Sequence, residues 1–156
     1  MTNEFLYAPA QFPGLDKIST KAPSDGIERS AAKREFQGLR EELVDLQRAL
    51  FAENKQSLLI VFQALDCGGK DGTIRKVFQG LNPQGVRVAS FKRPTETELE
   101  HDFLWRIHPH APGRGMISVF NRSHYEDVLV PLVENLVPRD LIEKRYRHIN
   151  DFEQCL

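Results

Sequence analysis

The sequence predicts an α/β fold built on a parallel sheet. Three observations carry this. Apolar runs of strand length occur at Leu58 to Leu65, Val86 to Phe91 and Met116 to Phe120. Helical patterns with a 3–4 residue apolar period lie before, between and after them. A Gly-rich turn follows the first run directly and opens the next helical pattern. Strands alternating with helices imply parallel pairing with helices on the sheet faces. Right-handed crossovers then bring the C-terminal ends of all three strands to one edge, where ligands of open α/β sheets bind.

Residues 1–26 hold Pro9, Pro13 and Pro23 with Gly14 and Gly26, and read as an extended N-terminal arm. Residues 27–53 read as a helix, with Ser24 or Asp25 as its cap. Phe36, Leu39, Leu43, Leu46 and Leu50 give it a core-covering stripe. Leu58 to Leu65, interrupted only by Gln63, reads as a strand buried on both faces. A helix over Lys70 to Gln79 follows, with Ile74, Val77 and Phe78 on one side. Asn82-Pro83-Gln84-Gly85 is a turn. Beyond the second strand, Thr95 to Ile107 reads as a helix capped by Thr95 or Thr97. Pro109, Pro112, Gly113 and Gly115 mark a loop before the third strand. The last helix runs from Arg139 to the end, with Ile142, Tyr146, Ile149, Phe152 and Leu156 on one face.

Composition narrows the function classes. The chain has 156 residues, with 21 Lys plus Arg against 22 Asp plus Glu and a net charge of −1. That suits one domain, and 40% hydrophobic with 28% charged residues argues against global disorder. The longest aliphatic and aromatic run, Leu58 to Phe62, is far short of the roughly 20 residues of a membrane span, so no membrane partner is expected. No basic stretch followed by an apolar core opens the chain, and two cysteines make no disulfide framework. A cytoplasmic location is the expectation. Near-neutral charge argues against a nucleic-acid coat while leaving room for a local basic groove.

The chemistry lies beyond the strand ends. Ala64-Leu65-Asp66-Cys67-Gly68-Gly69-Lys70-Asp71-Gly72-Thr73 approximates the phosphate-binding loop G-x-x-x-x-G-K-[ST]. Ala64 stands at the first Gly and Asp71 at the Ser/Thr. Glycines let backbone N–H groups curl around phosphate oxygens at a helix N-terminus, and Lys70 adds a point charge. Asp66 and Asp71 would repel a phosphate unless a cation lies between, which implies Mg²⁺. Asp66 is the expected ligand; Asp71 is either a second ligand or a helix cap. Lys92 and Arg93 follow the second strand and suit a polyanion. Asn121-Arg122-Ser123-His124-Tyr125-Glu126-Asp127 follows the third. Asn121 takes the place where an acid usually ends a Walker B strand. Glu126 and Asp127 are then the available carboxylates, and Arg122 is a bidentate phosphate donor.

At these residues the sequence resembles the polyphosphate kinase 2 family, P-loop kinases that move phosphate between inorganic polyphosphate and nucleotides. The stretches that carry the resemblance are FQALDCGGKDGTIRKVF, NPQGVRVASFKRPT, DFLWRIH, ISVFNRSHYEDVLV and YRHINDFE. The resemblance implies a P-loop kinase-like parallel sheet with flanking helices over residues 27–156, and AMP or ADP as acceptor. It implies that Gly68, Gly69, Lys70, Gly72 and Thr73 bind phosphate and that Asp66 is metal-associated. Arg122 and Asp127 match the Walker B region, with Asp127 a second metal ligand. Lys92 lies near the phosphate path, and Glu126 influences the choice of nucleotide. Family members continue past YRHINDFE into further strands and a helical lid, so an incomplete core without the lid is expected here. A homo-oligomer is the expected assembly. Two further readings stand beside the enzyme: a catalytically inactive chain that binds phosphate or a partner, and a P-loop kinase that uses ATP as donor.

Overall fold

The computed structural model describes residues 14–18 and 28–156. Two compact units divide between Phe36 and Gln37. In the first, a 3₁₀ turn at Leu15–Lys17 is closed by the Lys17 N–H donating to Gly14 O at 3.2 Å. Helix α1 (Arg29–Glu53) begins there. The rest of the expected arm and the proposed caps Ser24 and Asp25 lie outside the described residues.

The second unit holds the sheet. Strands β1 (Leu58–Phe62), β2 (Val86–Ser90) and β3 (Ile117–Asn121) are all parallel, in the order β1-β3-β2. Ile117 pairs with both Leu58 and Val86, and Asn121 with both Phe62 and Ser90. The three C-terminal ends are therefore level along one edge. β3 is the buried centre: Ile117, Ser118, Val119 and Phe120 are all within 2% of full burial. β1 is only half-buried, because β3 is its one partner among the described residues.

Side-chain alternation sends the two faces into different cores. Ile60, Phe62, Ile117, Val119 and Val86 meet Leu43, Val44 and Leu50 of α1, with Ile74 and Phe78 from the region of α2 (Lys70–Val77). Leu59, Val61, Phe120 and Ala89 meet Leu104, Ile107 and Phe152 on the other side. The predicted stripe on α1 divides. Leu43 and Leu50 face the sheet, whereas Leu39 and Leu46 are more than half exposed. Leu39 and Leu46 lie one heptad apart, on a line beside that face rather than on it.

The helix predicted from Thr95 to Ile107 is only one turn, α3 (Glu96–Leu99). Its start is as expected, with Thr95 and Glu98 forming a reciprocal capping box. It stops because Asp102 takes the backbone for itself: its carboxylate accepts from the Leu104 N–H at 2.9 Å, an Asx turn that competes with helix propagation. Successive tight turns then carry the chain to a 3₁₀ turn at His108–His110.

Helix α4 (Glu126–Val133) contains Pro131, which has no N–H to give the carbonyl of Asp127 four residues back. Arg145 of α5 (Arg139–Gln154) supplies the missing donor, its Nη1 lying 2.5 Å from that oxygen. Val128, Ile142 and Ile149 seal the contact between the two helices. On α5 the predicted face holds for Ile142, Ile149 and Phe152. Tyr146 and Leu156 are both more than 40% exposed, Leu156 because it lies beyond the helix end.

Candidate functional site

The level strand ends create one cavity of about 460 Å³. Asp66, Gly68, Gly69, Lys70 and Asp71 line it from the β1–α2 loop, Lys92 from the end of β2, and Asn121 and Arg122 from the end of β3. Cys67, Ser90 and Phe91 complete it. Sequence elements about 50 residues apart thus meet because parallel strands share a register.

The loop is a tight curl. Cys67 has φ 62° and Gly69 φ 84°, both in the left-handed region. Gly69 adopts this without strain, whereas Cys67 does so against its own Cβ. Gly69 is the N-cap of α2 and has no side chain to give. The first amides of that helix accordingly keep free N–H groups for an anion. Asp71 does not cap the helix. Its carboxylate accepts instead from Asn121 Nδ2 at 2.5 Å.

That bond accounts for two departures from the usual pattern at once. An acid normally ends the third strand and a hydroxyl donor opens the helix. Here the donor, Asn121, ends the strand and the acid, Asp71, opens the helix. The link between strand and loop survives with its polarity reversed.

Two of the cations, Lys70 and Arg122, have partners within the protein. Lys70 Nζ donates to Ala64 O at 2.7 Å and to Leu65 O at 2.9 Å, leaving one of its three N–H groups uncommitted. Arg122 pairs with Asp66 through its Nη2 and sits at φ 60°. Strained backbone of this kind persists where the surroundings over-determine it. Here the Arg122 N–H is fixed to Phe62 O at 3.0 Å, and the next two residues, Ser123 and His124, are fully buried.

The other predicted residues lie outside this lining. Gly72 and Thr73 are in the first turn of α2, and Arg93 is exposed just past Lys92. Glu126 accepts from Gln63 Nε2 at 2.5 Å. Asp127, expected as a second metal ligand, does not face the cavity: its Oδ2 takes Arg106 Nη2 at 3.0 Å in a largely buried ion pair, which leaves Asp71 as the second carboxylate on the lining.

Behind the cavity lies a hydrogen-bonded layer in which only His124 is legible from the sequence, as a group that hydrogen-bonds near the site; Gln63, Ser123, Tyr125 and Glu153 are not. Ser123 Oγ donates to Gln63 Oε1 and accepts from the Tyr125 N–H, each at 3.2 Å. Glu153 of α5 receives Tyr125 OH at 2.9 Å and lies 3.2 Å from His124 Nε2. Burial holds His124 below the ordinary imidazole range. Burial, then the bond to Glu153, pushes the Tyr125 phenol up to about 12. Arg106 was missed too, although one cation inside Phe103-Leu104-Trp105-Arg106-Ile107 signals a paired, buried charge.

A hard cation fits the donors present. Asp66 and Asp71 are carboxylates on one cavity, and Mg²⁺ is commonly held by one or two carboxylates together with phosphate oxygens. No cluster of three or more ligating side chains exists among the described residues, so phosphate and water would have to supply the remaining ligands.

The sequence profile of the polyphosphate kinase 2 family matches residues 26–156, more than four-fifths of the chain. This chain belongs to that family. It is 56% identical over 142 residues to an AMP/ADP-polyphosphate phosphotransferase of Meiothermus ruber, covering 91% of this chain and 52% of the relative. It is 49% identical over 128 residues to an ADP-polyphosphate phosphotransferase of Rhodopseudomonas palustris, covering 74% and 44%. Among solved structures, polyphosphate kinase 2 from Arthrobacter aurescens superposes with a TM-score of 0.89 at 38% identity, covering 97% of this chain and 55% of that one. The three-stranded parallel sheet with flanking helices is therefore the polyphosphate kinase 2 architecture over the matched region. The chain spans about half the length of the curated relatives it matches. No described helix is long and apolar enough to cross a membrane.

Proposed function

We propose that this chain is a polyphosphate-dependent nucleotide phosphotransferase, acting between inorganic polyphosphate and AMP or ADP in the cytoplasm. One observation supports it above the rest: three cations (Lys70, Lys92 and Arg122) and two carboxylates line one cavity at the mouth of a phosphate loop. A run of phosphates suits this mixture, because each anionic centre finds a separate cation. The named relatives act on the same chemistry.

The mechanism is in-line phosphoryl transfer, which asks the protein for positioning and charge neutralisation. The free amides at the start of α2 and the uncommitted N–H of Lys70 grip one phosphoryl group. Arg122 leaves Asp66 to fork onto phosphate oxygens. Lys92 holds the chain from the β2 side. Mg²⁺, held by Asp66 and Asp71, would neutralise phosphate charge. The acceptor is an anionic phosphate oxygen of AMP or ADP, so no strong general base is needed.

The test is phosphorylation of AMP and ADP with polyphosphate and Mg²⁺ on monodisperse protein. Turnover lost in Lys70→Ala supports the proposal. Tripolyphosphate binding without turnover would assign a phosphate-binding module instead. ATP-driven phosphorylation of a small acceptor, indifferent to polyphosphate, would assign a different donor.

A further inference from the structure

Arg106 is a poor candidate for touching a ligand. Its side chain is 6% exposed, and it does not line the cavity. Its two terminal nitrogens and its flat face reach informative partners, while Nε is buried without one. Nη1 donates to the backbone carbonyl of Lys92 at 2.8 Å. Nη2 donates to Asp127 Oδ2 at 3.0 Å. The guanidinium lies over the Phe91 ring, 5.7 Å from its centroid. Phe91 and Lys92 are both cavity residues.

The Lys92 backbone needs such a hold. The Phe91 N–H makes the last rung onto the sheet, donating to Asn121 O at 3.0 Å. Lys92 is the first residue past that rung, and its side chain is exposed. A carbonyl clamp at this residue sets the direction in which the side chain leaves the chain. Arg suits the task because its fork holds two acceptors at fixed angles. Its charge is balanced by Asp127, itself anchored from behind by Arg145 on its backbone carbonyl.

We infer that Arg106, oriented by Asp127, is a positioning residue that aims Lys92 into the phosphate cavity. This rests on the reading of that cavity as a polyphosphate site. It gives Asp127 work at a distance from the loop: its carboxylate acts through Arg106 on Lys92.

The test is a coupling measurement on the whole chain. Tripolyphosphate binding is measured by calorimetry for the parent, Lys92→Met, Arg106→Lys and the double variant, with thermal unfolding followed in parallel. Arg106→Lys keeps the charge and loses the fork. Each single change is expected to weaken binding about fivefold, the scale of one charge-assisted phosphate contact. The double variant is expected to bind no more weakly than Lys92→Met alone, because Arg106 acts only through Lys92. A merely structural role gives effects that multiply, to about 25-fold, and would overturn the inference. So would unchanged binding in Arg106→Lys. If that variant does not fold, Asp127→Asn keeps the shape and an acceptor, and must show the same coupling to Lys92→Met. Lys70→Ala separates the two layers. Binding that survives it, or a parent that does not bind, overturns the cavity reading and this inference together. Binding lost in Lys70→Ala with multiplying effects at Lys92 and Arg106 overturns the inference alone.

Discussion

Replacing Asn121 by aspartate would set a second carboxylate against Asp71. Two penalties follow from the geometry. The 2.5 Å amide-to-carboxylate bond is lost, and a hydrogen bond to a charged group contributes about 1.5–3 kcal/mol. The two charges then repel by about 1 kcal/mol at about 4 Å in bulk water, or about 4 kcal/mol at an effective dielectric of about 20. Asp71 is exposed at the cavity mouth, so the lower figures apply and the sum is about 2–3 kcal/mol. At this chain length each kcal/mol moves the melting temperature by about 2–4 °C, giving a fall of roughly 4–12 °C for Asn121→Asp. The assay is thermal unfolding by circular dichroism in metal-free buffer at low salt. Adding Asp71→Ser to Asn121→Asp restores a hydroxyl donor facing a carboxylate, and should recover most of the loss. Millimolar Mg²⁺ should narrow the gap for the single variant more than for the parent. Asn121→Asp as stable as the parent without metal, or a double variant no better than the single, would refute the reversed-polarity link.

Three further outcomes are expected. Gly85→Ala places a Cβ 2.0 Å from Gln47 Nε2, forcing a fully buried side chain off its bond to the Asn82 N–H. It should cost about 2–4 kcal/mol by urea unfolding, and clearly less when Gln47→Ala is already present. Arg145→Met orphans the Asp127 carbonyl and should cost about 1–3 kcal/mol; Pro131→Ala, which supplies an N–H to the same oxygen, should offset part of that. Burial depresses the pKa of His124 in the folded state, so the unfolded chain takes up its proton first as pH falls. The stability of the neutral form is present above about pH 6.5 and is lost as pH falls from there through the lower folded value, with a slope of at most about 1.4 kcal/mol per pH unit. Urea midpoints between pH 7.5 and 5 should therefore fall more steeply in the parent than in His124→Gln. Equal slopes would show that His124 is not the titrating group.

Much of this was legible in the residues. The strands announced themselves because each is a compact apolar run closed by turn signals, and the loop because glycines and Lys70 stand together between strand and helix. The turns at 100–107 were not legible. Phe103, Leu104 and Ile107 carry a helical spacing, and only the local bond from Asp102 to the Leu104 amide decides against it. At the site, lone residues could be read but pairs could not. Asp71 and Asn121 each looked like a departure, and they make sense only once parallel register brings them together. Asp127 was read from its distance along the chain to the third strand. Its actual partner, Arg106, belongs to a segment with no phosphate-binding pattern at all.

The central place of β3 also dictates an order of events during folding. β1 and β2 do not touch each other; each finds its only described partner in β3, the last of the three to be made. Leu58 must wait for Ile117, about 60 residues later, and Val86 for the same residue about 30 later. Among the described strands, no native pair can form before β3 is made. The phosphate loop, strung between β1 and α2, is therefore a late product of long-range closure, and folding should be slow for a chain of this size. Shaving Val119 or Phe120 should then retard folding, whereas trimming the outer side chain Val88 should chiefly hasten unfolding.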